Sequence, residues 1–261
     1  MTPVRLGAVG YLNARPLVYG LDRVPRFALR FDVPSKCATL LHDGAIDVGL
    51  IPSIEYLRGD AYRIVPDLAI ASRGPVASVA LYTKRPIAPI QSIAMDTSSR
   101  TSVALARVLC ARLFKIQPTI DMRGPDLDDM LGRADAALII GDNALLIDGR
   151  ADVEKIDLGE AWTNMTGLPF VYAFWAGRAG ALTAADVHAL QAARDAGVAR
   201  PDEIARQYFD HAPGRQILGA RYLRDNIKYD LGNEERAGLT TFYRYAEEAG
   251  VIPSAGELKF Y

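Results

Sequence analysis

The chain has 261 residues, half of them apolar and 23% charged, with a formal net charge of -1. This suffices for one large α/β domain or two smaller lobes around a full core, and it gives no basis for a nucleic acid or anionic membrane partner. No run of about 20 apolar residues could span a bilayer, and Met1-Thr2-Pro3 leads straight into the first predicted strand. The expectation is a cytoplasmic protein without a secretory leader.

Strand and helix alternate through the first two thirds. Val4–Val9 reads as a strand, Gly10-Tyr11-Leu12-Asn13 as a turn and Ala14–Leu21 as a short helix. Phe27–Phe31 is a second strand, and Ser35 starts a helix through "KCATLLHD" that Gly44 would end. "IDVGLI" is a short buried strand, after which Pro52 opens the helix "PSIEYL". The β-rich "PDLAIASRGPVASVALYTK" turns at Gly74-Pro75 and ends in the stiff connector Arg85-Pro86-Ile87-Ala88-Pro89. A fresh α/β unit follows, with strand "SIAM", loop "DTSSRTS", helix Val103–Phe114, strand "TIDM" and a short helix from Asp126. Strand "AALII", a helix from Asp142 and strand "VEKIDL" lead through a loop to the aromatic strand "PFVYAFWAG". From Thr183 onward the pattern is helical, with one extended piece at "NIKYDL".

Such alternation predicts an α/β fold with mostly parallel sheets. The break at the proline-rich connector divides it into two lobes, residues 1–85 with 176–261 and residues 86–175. Two crossovers between lobes would form a cleft, the usual place for a small ligand. Cys37, spaced with Leu40 and Leu41, and Cys110, spaced with Ala106 and Leu113, read as small core residues of a protein in a reducing compartment. His42, His188 and His211 are scattered and form no metal-ligand spacing with them.

Ligands of α/β sheets sit beyond the carboxyl ends of the strands, where loops enter helices. Three loops qualify: Gly10–Asn13, "MDTSSRTSVAL" and "IIGDNALL". The second crowds Ser98, Ser99, Arg100, Thr101 and Ser102 at a helix start. Free N–H groups, the helix dipole, hydroxyls and a guanidinium all suit a carboxylate or phosphate there. One of its hydroxyls could equally be a plain helix cap. The loop lacks the glycines and lysine of a P-loop. Asn13, Asp96 and Asp142 also have capping readings, Asp47 reads as a turn residue and Glu55 as a surface carboxylate. The aromatics of "PFVYAFW" read as core, with Trp162 and Trp175 as candidates to face the cleft. No Ser-His-Asp or Cys-His set can be assembled.

The segments "GYLNARPLVYGL", "LLHDGAIDVGLIPSIEY", "SRGPVASVALYTKRP", "DTSSRTSVAL", "ALIIGDNAL" and "DLGEAWTNMTGLPFVYAFW" together resemble the chorismate dehydratase family of the futalosine route to menaquinone. The resemblance covers residues from about 5 to 180. It implies a two-lobed type II periplasmic-binding-protein-like fold and a hydro-lyase that converts chorismate to 3-(1-carboxyvinyloxy)benzoate and water. No metal or organic cofactor is implied. Carried across residue by residue, it implies an active-site turn with Tyr11 and Asn13, and a first-lobe segment with Gly74, Ser78 and Val79. It also implies the polar loop Ser98, Ser99, Arg100, Thr101 and Ser102, the opposite loop Gly141, Asp142 and Ala144, and a last turn with Thr166, Gly167 and Pro169. Asn13 and Ser78 are the catalytic candidates: Asn13 to steer an enolpyruvyl carboxylate that itself takes the proton, Ser78 to donate to the departing hydroxyl. Two other readings stay open. A 1,4-dihydroxy-6-naphthoate synthase of the same pathway is expected to carry a histidine base after "ALII", where this chain has Gly141-Asp142. A non-catalytic small-anion binding protein is normally exported.

Overall fold

A computed structural model describes residues 2–59, 61–147, 149–150 and 152–261. The chain opens with β1 (Val4–Val9), a 3-10 turn at Leu12–Val18, β2 (Phe27–Asp32), α1 (Pro34–His42) and β3 (Val48–Pro52). A further 3-10 turn, Ser53–Arg58, precedes the short strands β4 (Tyr62–Ile64) and β5 (Ile70–Ser72). Then come β6 (Val79–Thr83), β7 (Ser92–Asp96) and α2 (Arg100–Leu109), whose last part widens into a π turn at Cys110–Phe114. β8 (Thr119–Arg123), α3 (Leu127–Arg133), β9 (Ala136–Ile140), α4 (Gly141–Leu145), β10 (Glu154–Asp157) and α5 (Leu158–Thr166) complete the middle of the chain. The long strand β11 (Phe170–Arg178) leads to four helices: α6 (Ala184–Val198), α7 (Pro201–Tyr208), α8 (Pro213–Asp225) and α9 (Asn233–Glu248).

The strands form two sheets on one plan. The first runs β2-β1-β3-β11-β4, with β5 also on β11; the second, read from its far edge, runs β8-β7-β9-β6-β10. In each, three parallel strands are followed by an antiparallel one, β11 against β3 and β6 against β9. Those two antiparallel strands are where the chain passes between sheets. The crossovers therefore fall between Ser72 and Val79 and between Thr166 and Phe170. The expected boundaries at 85/86 and 175/176 lie a few residues later in the chain. The proline-rich connector is a surface bend within the second lobe, whereas register with β9 and β10 assigns "VALYT" to the second sheet.

Three further differences have local causes. The stretch after β10, expected as a loop, is α5: the Asp157 carboxylate caps it through the Gly159 and Glu160 N–H groups, and Gly167, at φ 72°, ends it. The extended "NIKYDL" makes a single bridge, Ala71 to Lys228, rather than a strand. Trp162 and Trp175 are fully buried core residues; the Trp162 indole N–H donates to the Pro169 carbonyl at 3.2 Å. Both cysteines are free and buried, and burial pushes the Cys37 thiol up to about 12 and the Cys110 thiol to about 11. No helix among the described residues is long and apolar enough to cross a membrane.

Candidate active site

The carboxyl ends of β1, β7 and β9 meet the β5–β6 crossover and the middle of β11 around one space. Tyr11, Asn13, Ser78, Val79, Ser99, Thr101, Ser102 and Gly141 line it, alongside Pro34, Pro52, Tyr172 and the apolar Val9, Ile70, Val76 and Ile140. The cavity is about 50 Å³ and partly open to solvent, well short of the roughly 300 Å³ at the small end of ligand pockets.

Each polar wall is set by its backbone. Tyr11 precedes the 3-10 turn in extended conformation, which leaves Asn13 inside the first turn with its side chain on the cavity rather than on a backbone N–H. The capping reading of Asn13 therefore does not hold here. The Tyr11 ring lies against Gly141, which has φ 63°; a Cβ at that position would come within 2.7 Å of the ring. The Tyr11 hydroxyl donates to Ser98 Oγ at 3.2 Å, and Ser98 donates to buried Asp96 at 2.7 Å. Ser99 is the N-cap of α2, accepting the Ser102 N–H at 3.2 Å. Thr101 accepts the Ile54 N–H at 3.2 Å, tying α2 to the first lobe. Thr101 also meets Ser53 Oγ at 3.4 Å, whereas among the described residues no protein acceptor takes the hydroxyl proton of Ser99 or Ser102.

Ser78 is fixed by the loop before it. Ala77 holds φ 62°, a left-handed conformation that a non-glycine residue keeps only under restraint. Asp157 supplies it: one carboxylate accepts the N–H groups of Val76 at 3.1 Å and Ala77 at 2.7 Å as well as the two N–H groups of α5. The Ser78 carbonyl accepts the Gly141 N–H at 2.8 Å. The Ser78 hydroxyl accepts from Tyr222 of α8 at 2.7 Å.

Eight of the expected residues lie elsewhere. Arg100 turns away from the cavity and pairs with Glu55 at 2.5 Å; Glu55, expected on the surface, is 3% exposed and also meets His42 at 3.0 Å and Arg58 at 3.4 Å. Asp142 accepts the Leu12 N–H at 3.1 Å and the Tyr208 hydroxyl, and burial holds its carboxyl above the usual range. Ser98 backs Tyr11 from behind. Ala144 is core, with its carbonyl on the Tyr82 hydroxyl. Gly74, at φ 86°, makes the crossover turn and donates its N–H to Thr163 Oγ1 at 2.9 Å. Thr166, Gly167 and Pro169 form the turn that ends α5; the Thr166 hydroxyl donates to the Trp162 carbonyl at 2.9 Å. These residues build the cavity without lining it. Conversely, Tyr172 lines the cavity and Tyr222 stands behind Ser78, and neither carries a local sequence signal, since both sit on ordinary core faces of a strand and a helix.

Chemically, the wall is neutral: among the described lining residues there is no Lys, Arg, His, Asp or Glu. Its titratable groups are two phenols, and burial raises both Tyr11 and Tyr172 above the ordinary phenol range. An anion held here meets hydroxyls, an amide and helix N–H groups, not a counter-charge.

A family model described as menaquinone biosynthesis matches residues 4–248. The chorismate dehydratase of Thermus thermophilus is 32% identical over 260 residues, which is 93% of this chain and 94% of that protein. The chorismate dehydratase of Campylobacter jejuni is 32% identical over 174 residues, 64% of each chain. Among solved structures, a protein of Archaeoglobus fulgidus superposes with a TM-score of 0.78 at 16% identity, covering 96% of this chain and 98% of that one. The periplasmic aliphatic sulphonate binding protein SsuA of Escherichia coli superposes with a TM-score of 0.65 at 17% identity, covering 98% and 95%. At such identities the structural likenesses show the fold alone, which is that of the periplasmic binding proteins. The match over nearly the whole length gives the family as well: this chain belongs to the menaquinone biosynthesis family.

Proposed function

We propose that this chain is a chorismate dehydratase, an enzyme that removes water from chorismate to give 3-(1-carboxyvinyloxy)benzoate. The observation that carries the reading is the meeting of Asn13, Ser78 and the hydroxyls of the α2 first turn around one cavity without charged side chains, in a chain 32% identical to chorismate dehydratases.

Chorismate carries a ring carboxylate and a second carboxylate on the enolpyruvyl ether at ring C3. Loss of the C3 proton and the C4 hydroxyl makes the ring aromatic. The C3–H is vinylogous to the ring carboxylate, so its removal pushes negative charge onto that group. Donors fixed around it stabilise the transition state more than the ground state. The first turn of α2, with Ser99 as cap and Ser102 beside it, is suited to hold that carboxylate. No lining side chain is an adequate base near neutral pH. The substrate's own enolpyruvyl carboxylate takes the C3 proton, and Asn13 holds it in reach. A carboxamide can hold an anion without repelling it, which aspartate could not. The C4 oxygen leaves beside Ser78, which donates a hydrogen bond to it, and departs as water with the proton taken from C3.

A 1,4-dihydroxy-6-naphthoate synthase is expected to use a histidine after β9, where this chain has Gly141-Asp142 and no lining histidine among the described residues. A binding protein of this fold would hold chorismate without consuming it. Purified protein is incubated with chorismate and followed by ultraviolet absorbance and chromatography. Conversion to the benzoate with catalytic turnover is expected; stoichiometric binding with chorismate recovered intact would overturn the reading.

A further inference from the structure

Tyr222 has a place in this site that no local feature of α8 announces. Its ring is buried in the C-terminal helices, 2% exposed, yet its hydroxyl reaches Ser78, 144 positions earlier in the chain, at 2.7 Å. The phenol therefore stands behind the catalytic candidate of the β5–β6 crossover.

We infer that Tyr222 is the positioning residue that fixes the polarity of Ser78, so that the Ser78 hydroxyl proton faces the cavity. The inference rests on the dehydratase reading above and deepens it. A serine hydroxyl has one proton and can rotate it toward any acceptor. At Ser78 the incoming Tyr222 O–H occupies the oxygen, and among the described residues no protein acceptor takes the Ser78 proton. The proton is left for the cavity, where the C4 oxygen of chorismate departs. A hydroxyl that already accepts a hydrogen bond is also a stronger donor, because bonds in a chain polarise one another. Burial keeps the phenol protonated, while Ser78 and Asn13 pull the other way. Tyr222 thus stays a donor and takes no part in the proton's transfer from C3 to water.

Tyr222→Phe removes the hydroxyl and keeps the ring. Chorismate turnover is measured for the unaltered protein, Tyr222→Phe, Ser78→Ala and the double variant, with circular dichroism to confirm folding. The expected result is a kcat lowered about 10- to 30-fold in Tyr222→Phe, with KM changed less than about threefold. In the Ser78→Ala background Tyr222→Phe should lower kcat no further, and it should recover thermal stability, because the phenol loses its buried acceptor in Ser78→Ala. Should Tyr222→Phe be too unstable to assay, the step from Ser78→Ala to the double variant still decides: an additional tenfold loss in kcat would overturn the inference. A folded Tyr222→Phe with unchanged kcat overturns it too, while leaving the dehydratase reading standing. No turnover of chorismate by the unaltered protein removes both.

Discussion

The first turn of α2 faces two environments. On one side Ser99, Thr101 and Ser102 line a cavity without a charged side chain; on the other, Arg100 enters a cluster with Glu55, His42 and Arg58. Neighbouring residues thus divide the work of binding and of holding. The ionic side joins α2 of the second lobe to the 3-10 turn after β3 of the first. The cavity side is left neutral, where a dianionic substrate must shed charge from one group and accept it on another. A lysine or arginine in the cavity would bind chorismate tightly in its ground state and add less to its transformation. Oriented dipoles are already in place when the charge moves.

The sharpest way to break this contrast is to put a charge on the neutral side. Asn13→Asp is nearly isosteric, folds with a melting temperature within a few degrees, and loses the amide donors while adding like charge beside a carboxylate. Turnover of chorismate should fall by about 10² to 10³, the scale of removing one fixed donor to a developing anion. Retained turnover would show that neutrality at this wall is incidental.

A half-buried ion pair remote from the cavity calibrates what a charge is worth when it only holds structure. Asp186 pairs with Arg26 at 2.8 Å and completes a capping box with Thr183 at the start of α6. The guanidinium, followed by the Thr183 donors, holds its carboxyl well below the usual carboxylate range. Its unfolded value is near 3.9, so its stabilisation is complete above about pH 5 and is lost as pH falls through the depressed folded value. Asp186→Asn should cost about 2–3 kcal/mol at pH 7 by denaturant unfolding. The gap to the parent protein should narrow below about pH 4. The kcat of the folded fraction should not change, and a fall in kcat would mean that remote charge reaches the site.

The same two sides differ in how far they could be read from sequence. The neutral wall was legible because it is local: each of its turns carries its polar residues within a few positions, as in "GYLN" and "DTSSRTS". The strands were legible from apolar runs. Arg100 was not, because whether a guanidinium at a helix start faces a ligand or a protein carboxylate depends on Glu55, 45 positions away. Glu55 itself reads as a surface residue until the fold buries it. The lobe boundary was misplaced for a related reason: prolines mark a bend, but the partner strand decides which sheet "VALYT" joins. α5 was hidden by Gly159, Thr163 and Thr166, poor helix formers that the Asp157 cap and the packing of Trp162 outweigh.

The ionic side can be tested by removing either partner. Arg100→Ala and Glu55→Gln each break the pair, and each should cost about 1–3 kcal/mol in stability, as groups are left unsatisfied in a half-buried cluster. If Arg100 acts only by joining the lobes, the two variants raise KM by similar factors and the double variant is no worse than the more affected single one. A rise in KM confined to Arg100→Ala would return the guanidinium to the substrate.

The smallest effect concerns Ser99, which sits where the two sides meet. Ser99→Ala removes the α2 cap and should cost about 1 kcal/mol, with a modest rise in KM from the lost hydroxyl. Ser99→Asp separates the two roles. Aspartate caps a helix as well as serine does, so stability should return to that of the parent protein. Yet it brings a negative charge to the cavity wall, and KM should rise well beyond that of Ser99→Ala. If Ser99→Asp binds chorismate as well as Ser99→Ala, the hydroxyl of Ser99 is a cap alone and the anion is held elsewhere along the wall.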